Sequence, residues 1–246
     1  MSEGLEKGRS RATVITVGNP KGGVGKSTTC VNLAIEALKR KKKVMIIDSD
    51  DQATVDKFIA KREKYLETQG LDADSDVEHV IQRSNIPKFL RQNLKRFDWI
   101  IIDTKGKSSE EFVISSVWSD IVISPTTDCE ADSDELDALQ KLMVSVNSNR
   151  EALGLEPNQA HVFINKVDSR TFNTTYIPSR KAIKERMESE ELPYLKLMKS
   201  YLTYYGAYKL VHKTGKGITE FQDKSKGQFQ VFVNEIESLD PNVSND

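Results

Sequence analysis

The stretch from Gly18 to Thr29 reads GNPKGGVGKSTT and brings together residues that suit one kind of chemistry. Gly22, Gly23 and Gly25 carry no Cβ, so the backbone around Val24 can turn tightly and point its N–H groups inward, as an anion requires. Lys26 adds a cation on a flexible stem. Ser27 and Thr28 add hydroxyls at the start of a segment that reads as a helix, and a helix N-terminus favours negative charge. These are the parts of a phosphate-binding loop, with Lys26 reaching the terminal phosphates and Ser27 placed to ligate Mg²⁺. The spacing departs from the usual GxxxxGK[ST], because Pro20 stands where the first glycine belongs. Lys21, five residues before Lys26, has no role in a simple phosphate loop; with no partner molecule it would be a solvated lysine.

Carboxylates follow two apolar runs, Asp48 and Asp50 in VMIIDSDDQAT and Asp103 in WIIIDTKG. One aspartate at the end of a strand is often structural, but three beside a phosphate loop suit Mg²⁺ and water. Asn165, in FINKVD, offers both a donor and an acceptor, which fits the edge of a purine. The tetrapeptide NKVD also matches a guanine-reading pattern, so these residues alone leave adenine and guanine open.

Apolar, β-branched runs predict strands at Ala12–Val17, Lys43–Asp48, Asp98–Asp103, Asp120–Ser124 and His161–Asn165, with a weaker one at Val77–Ile81. Amphipathic stretches predict helices at Ser27–Arg40, Ala53–Thr68, Pro87–Arg96, Ser109–Trp118 and Asp132–Leu153. Beyond Pro178 the pattern turns helical, at Ser179–Ser189, Tyr201–Lys213 and Ser225–Leu239. VMIID and WIIID are apolar throughout, as strands covered on both faces tend to be. The alternation predicts an α/β fold, a doubly wound, mostly parallel sheet with helices on both faces, of the P-loop NTPase kind. Such sheets bind ligands at the carboxyl ends of their strands, where Lys21, Lys26, Asp48, Asp50 and Asp103 all fall. The expected organisation is a tail over 1–11, one domain over 12–240 and a second tail over 241–246.

KGGVGKST resembles the deviant Walker motif of the ParA/MinD family of ATPases, and the likeness runs from Val14 to about Ile236. In that family the extra lysine, here Lys21, crosses a dimer interface to the phosphates held by the partner subunit. A cation supplied in this way can stabilise charge developing on a transferred phosphoryl group. The resemblance implies ATP with Mg²⁺ as the ligand, Lys21 to Thr28 as the phosphate loop, and Asn165 at adenine. It places Asp50 at the water-activating aspartate and Asp103 at the Walker B aspartate, so that Ser27, Asp50 and Asp103 would serve the metal. Asp51 and Lys105 depart from the residues usual at their positions.

The C-terminal YYGAYKLVHKTGKGITEFQDKSKG resembles the part of ParA proteins that grips DNA without reading its sequence. Lys199, Lys209, Lys213, Lys216, Lys224 and Lys226 are the candidates, and cation–phosphate contacts of this kind are steeply salt-dependent. The five basic residues Lys39–Lys43 read instead as cations at a helix C-terminus followed by a solvated turn.

At 246 residues the chain is long enough for one α/β domain. A net charge of −1 leaves room for a local basic patch but does not point to one. The opening MSEGLEKGRSR is polar and does not read as a signal peptide. The two cysteines, Cys30 and Cys129, suggest neither a disulfide framework nor a shared iron–sulfur cluster. Near the C-terminus Phe229, Phe232, Val233, Ile236 and Leu239 form an apolar stripe beside an acidic polar face. Anionic lipid would repel that face, so the stripe is expected to pack on the domain, with no membrane partner. The dozen residues before the first strand leave no room for a helix-turn-helix extension.

The resulting expectation is a small ParA-type partition ATPase, plasmid-borne, cytoplasmic and nucleoid-associated. It would be a homodimer with ATP, bound to non-specific DNA and released when a centromere-binding ParB-like partner stimulates slow hydrolysis. Competing readings keep the same site: a positioner of a protein cargo, a module that assembles on ATP without turnover, or a membrane-associated MinD-like regulator.

Overall fold

A computed structural model describes residues 11–49, 53–71, 77–81, 85–106, 109–127, 133–189 and 191–243. Seven strands form one sheet: β1 (Thr13–Val17), β2 (Val44–Asp48), β3 (Glu78–Ile81), β4 (Trp99–Asp103), β5 (Ile121–Thr127), β6 (Ala160–Asn165) and β7 (Leu195–Leu197). Their order is β3-β2-β4-β1-β5-β6-β7, and every pairing is parallel. The helices are α1 (Lys26–Lys39), α2 (Thr54–Thr68), α3 (Ile86–Asn93), α4 (Ser109–Val117), α5 (Ser133–Ala152), α6 (Ile177–Glu188), α7 (Tyr208–Thr214) and α8 (Lys224–Glu237).

Successive residues of a strand point to opposite faces, so a strand that is apolar throughout feeds two cores. Ile15, Ile46 and Ile101 pack with α1, Phe58 of α2 and the Phe229–Ile236 side of α8. Their neighbours Val14, Met45, Ile47, Ile100 and Ile102 pack instead with Ile86 and Leu90 of α3. On the same side, Val122, Val162 and Ile164 meet α4, α5 and Ile183 of α6. The sheet is therefore covered on both faces, as expected. The C-terminal stripe is spent inside the protein: Phe229, Phe232, Val233 and Ile236 are fully buried, and Phe232 lies 4.6 Å from the ring of Phe163 on β6. No helix among the described residues is long and apolar enough to cross a membrane.

Sequence and structure part at three places. Strand β5 runs past the expected Ser124 through Pro125 to Thr127. Its last β1 partner is Ile123, so proline sits beyond the shared ladder, where a missing N–H removes no bond to β1. Strand β7 has no clear sequence signature, because it is three residues long and begins two residues after Pro193, with too little alternation to read. Helix α7 starts at Tyr208, not Tyr201. The backbone of Leu202–Tyr204 is taken up by the end of β6 and the residues after it: Leu202 N donates to Ile164 O, Val167 N to Leu202 O and Tyr204 N to Val167 O, all at 3.0 Å. Arg11 holds Asp120 through both terminal guanidinium nitrogens, and Asn242 Nδ2 donates to Thr13 Oγ1 at 2.7 Å.

Near that last contact the C-terminal segment ties two strands together at their first residues. Thr13 Oγ1 donates to Asp240 Oδ1 at 2.6 Å, and Trp99 Nε1 donates to Asp240 Oδ2 at 2.9 Å.

Candidate nucleotide site

In register, Val17 lies beside Asp103 and Asp103 beside Asp48, so the loop after β1 rises next to two buried carboxylates. Gly25 ends this loop with φ 105°, a left-handed conformation that favours glycine, and α1 begins at Lys26. A Cβ on Gly25 would also come within 2.4 Å of Asn165 Nδ2. The loop is gripped from the far side by the end of β6. Asn165 Nδ2 donates to Val24 O at 2.8 Å, and Lys166 Nζ donates to Gly23 O. Asn165 Oδ1 accepts from Lys166 N at 2.9 Å. Both ends of the Asn165 amide thus serve the loop and its own turn, a positioning task the sequence did not disclose.

Lys26 is buried and its Nζ donates to Lys21 O at 2.9 Å, curling over the loop it would serve. Gly106, three residues past β4, lies against it: a Cβ there would be 2.7 Å from Lys26 Nζ and 3.3 Å from Gly22 Cα. Gly22 and Gly23 are exposed, Val24 is buried, and Ser27 and Thr28 are half-buried. Thr28 Oγ1 lies 2.9 Å from His212 Nε2. Burial, and then Lys61, lower the His212 pKa, which keeps that ring neutral near pH 7.

The two strand-end aspartates differ. Asp48 Oδ2 accepts from Val55 N at 3.1 Å, so this carboxylate supports the start of α2. Both oxygens of Asp103 are buried without a hydrogen-bond partner among the described residues. The Ser27 hydroxyl and the Cys30 thiol lie close enough to draw its pKa down. Burial above all pushes Asp103 up to about 7, with the Asp48 charge adding to it, against the pull of Ser27 and, less, of Cys30 and Lys26. An unpartnered carboxylate beside a phosphate loop is costly unless something bonds it. The water shell of a Mg²⁺ ion supplies such partners, so the residues present fit that ion. Asp50 lies outside the described residues, and so does Cys129; Cys30 is buried in the core.

Lys21 is held within its own chain. Its Nζ lies 3.2 Å from Oε2 of Glu135, a nearly buried residue in the first turn of α5. Asn19 organises the contact, with Oδ1 accepting from Lys21 N at 2.7 Å and Nδ2 donating to Glu135 Oε1 at 2.9 Å. Nothing in the acidic run EADSDELD singles out Glu135 beforehand.

Beside Gly25 opens a cavity of about 140 Å³, lined by Thr28, Asn165, Leu202, Tyr208 and Phe229 among others. The six C-terminal lysines spread over four places. Lys199 follows β7; Lys209 and Lys213 are exposed on α7; Lys224 and Lys226 occupy the first turn of α8. Lys216 lies over the rings of Tyr65 and Phe221, 5.1 and 5.7 Å away, and so packs as well as carries charge.

The all-parallel sheet, the glycine loop leading into α1 and the buried strand-end carboxylates define a P-loop nucleotide-binding protein. Residues 13–151 match the family model described as ATPase MipZ, and the chain belongs to that family. The septum site-determining protein MinD of Helicobacter pylori is 26% identical over 185 residues, 63% of this chain and 67% of that one. A putative plasmid partition protein of Borrelia burgdorferi, solved with AMPPNP, superposes with TM-score 0.64 at 19% identity, over 92% of this chain and 99% of that one. An ATP complex of a Cyanothece McdA variant superposes with TM-score 0.69 at 17% identity, over 96% and 100%. These two structural likenesses are of fold, and with the family match they bear out the ParA/MinD resemblance.

Proposed function

We propose that this chain is a ParA-type ATPase that partitions DNA. It would bind ATP and Mg²⁺ through the loop Lys21–Thr28, with Ser27, Asp103 and Asp50 serving the metal. Asp50 would orient the attacking water, and Lys21 would reach the phosphates of a second subunit. When bound, Mg²⁺ would neutralise charge on the β- and γ-phosphates. Asn165 would hold the loop in shape from the side of the base. The ATP-bound dimer would grip DNA through its C-terminal lysines, on the nucleoid, until a ParB-like partner triggers hydrolysis. The observation that carries this reading is the pairing of a glycine loop bearing two lysines with the buried, unpartnered Asp103 carboxylate.

The test is binding to random-sequence duplex DNA with ATP, ADP or no nucleotide, across a salt series, for wild type and Lys21→Ala. Binding should need ATP and vanish in the variant. For four to six phosphate contacts it should weaken about 10²- to 10³-fold between 50 and 200 mM salt. Binding that ignores the nucleotide, or no binding, removes the DNA reading and leaves a protein cargo as the alternative.

A further inference from the structure

A second cavity opens at the amino ends of the strands, away from the phosphate loop. It measures about 250 Å³ and lies among α3, the end of α4 and the turn after α5. Val14, Leu90 and Val117 line it and are only 1%, 3% and 5% exposed, while the half-buried Trp118 adds an aromatic ring. The lining is therefore largely apolar, yet its charge is unbalanced. Three arginines, Arg11, Arg91 and Arg150, stand against Asp120, the one carboxylate among the described residues of the lining. That carboxylate is already committed: Arg11 holds both of its oxygens, and Val14 N donates to Oδ2 at 2.9 Å.

The other two arginines keep their charge uncompensated. Arg150 donates only to neutral acceptors, Nη1 to Val117 O and Ser119 O at 2.7 and 3.2 Å and Nε to Glu156 O at 2.6 Å. Arg91 lies over the Trp118 ring, 5.5 Å from its centre. Neither forms an ion pair among the described residues. Burial lowers the Arg150 pKa, and the Asp120 charge offsets part of that. A half-buried cation is stabilised by an anion that brings apolar surface with it and leaves no other polar group stranded. Inorganic phosphate would waste the apolar lining, and a neutral hydrocarbon would leave the arginines unmatched. The volume falls below the roughly 300–1,000 Å³ of sites for drug-sized ligands, which limits the occupant to one ring or a short chain. We propose that this cavity binds a small apolar carboxylate, its body packed against Trp118, Leu90 and Val117 and its charge matched by Arg91 and Arg150. The site is separate from the phosphate loop and does not depend on what the loop binds.

The experiment is titration of the full chain with 4-phenylbutyrate, followed by tryptophan fluorescence. Trp118 lines the cavity, whereas the other tryptophan of the chain, Trp99, is fully buried and bonded to Asp240, so the two report differently. The acid should change the signal saturably, with or without ATP. The neutral 4-phenylbutanol, with the same body and no charge, should bind roughly ten- to a hundredfold more weakly, as the loss of a charge-assisted hydrogen bond predicts. Arg91→Gln, at an exposed position, should narrow that gap, and Leu94→Trp, which fills part of the cavity, should weaken both probes. No saturable change with the acid overturns the proposal, as does equal affinity for acid and alcohol. Unchanged affinity for the acid in either variant would put it elsewhere on the protein and overturns the assignment too. Displacement by ATP does the same, because the acid would then occupy the nucleotide site.

Discussion

Replacing Asp103 with asparagine should stabilise the empty protein, and should do so only above acidic pH. The carboxyl is pushed from its ordinary 3.8 up to about 7 by burial first and by Asp48 second. Between those values the folded chain holds a proton that the unfolded chain has released, so this group's contribution to stability falls as pH rises through the window and levels off above it. A rise of roughly three units corresponds to a ceiling of about 4 kcal/mol. Of this, about 2–3 kcal/mol is lost between pH 5 and pH 8. Asparagine has the same shape and no charge to develop, so Asp103→Asn escapes the loss. The assay is thermal unfolding of both proteins with EDTA and without nucleotide. The advantage of the variant in Tm should grow by about 5–10 °C from pH 5 to pH 8. Packing differences between the side chains cancel in that comparison. With Mg²⁺ and ATP the order should reverse, wild type gaining stability and the variant little. An advantage that stays flat or shrinks as pH rises would show that the carboxylate is already paired, and would refute the reasoning.

Glu135→Gln keeps the bond from Asn19 but removes the charge that holds Lys21; ultracentrifugation should then show ATP-dependent dimers at lower protein concentration than in wild type. Gly106→Ala places a methyl group 2.7 Å from Lys26 Nζ and 3.3 Å from Gly22 Cα, so ATP affinity should fall about tenfold or more while the melting temperature holds. Phe232→Ala opens a cavity against Phe163 and Phe229 and should cost about 3–5 kcal/mol in urea unfolding, with ATP affinity per folded molecule unchanged.

What could be read in advance was what depends on local pattern. The six strands expected from apolar runs are all present, since VMIID and WIIID advertise burial on both faces in their composition alone. The phosphate loop was legible because its glycines, its lysine and the following helix are contiguous. Contacts between distant segments were not. Glu135 meets Lys21 from 114 positions further along the chain, and Asn165 and Lys166 reach the loop from more than 130 residues away. In each case the partner is fixed by strand order, which no local spacing encodes. Tyr201–Ala207 departs from its local pattern for a related reason: its helical composition loses to backbone bonds offered by the end of β6.

The clasp made by Asp240 has a geometric consequence. Thr13 and Trp99 open their strands, and the phosphate loop follows the far end of β1, roughly 16 Å away for five residues of strand. The described chain therefore enters at Arg11 and leaves at Val243 near the same side of the sheet, the side away from the loop. A fluorescent reporter or a surface tether attached at Arg11 or Val243 would start from the side of the sheet away from the loop. In a face-to-face pair the four ends would emerge on the two outer sides, so labels could follow assembly by the separation between them without obstructing it.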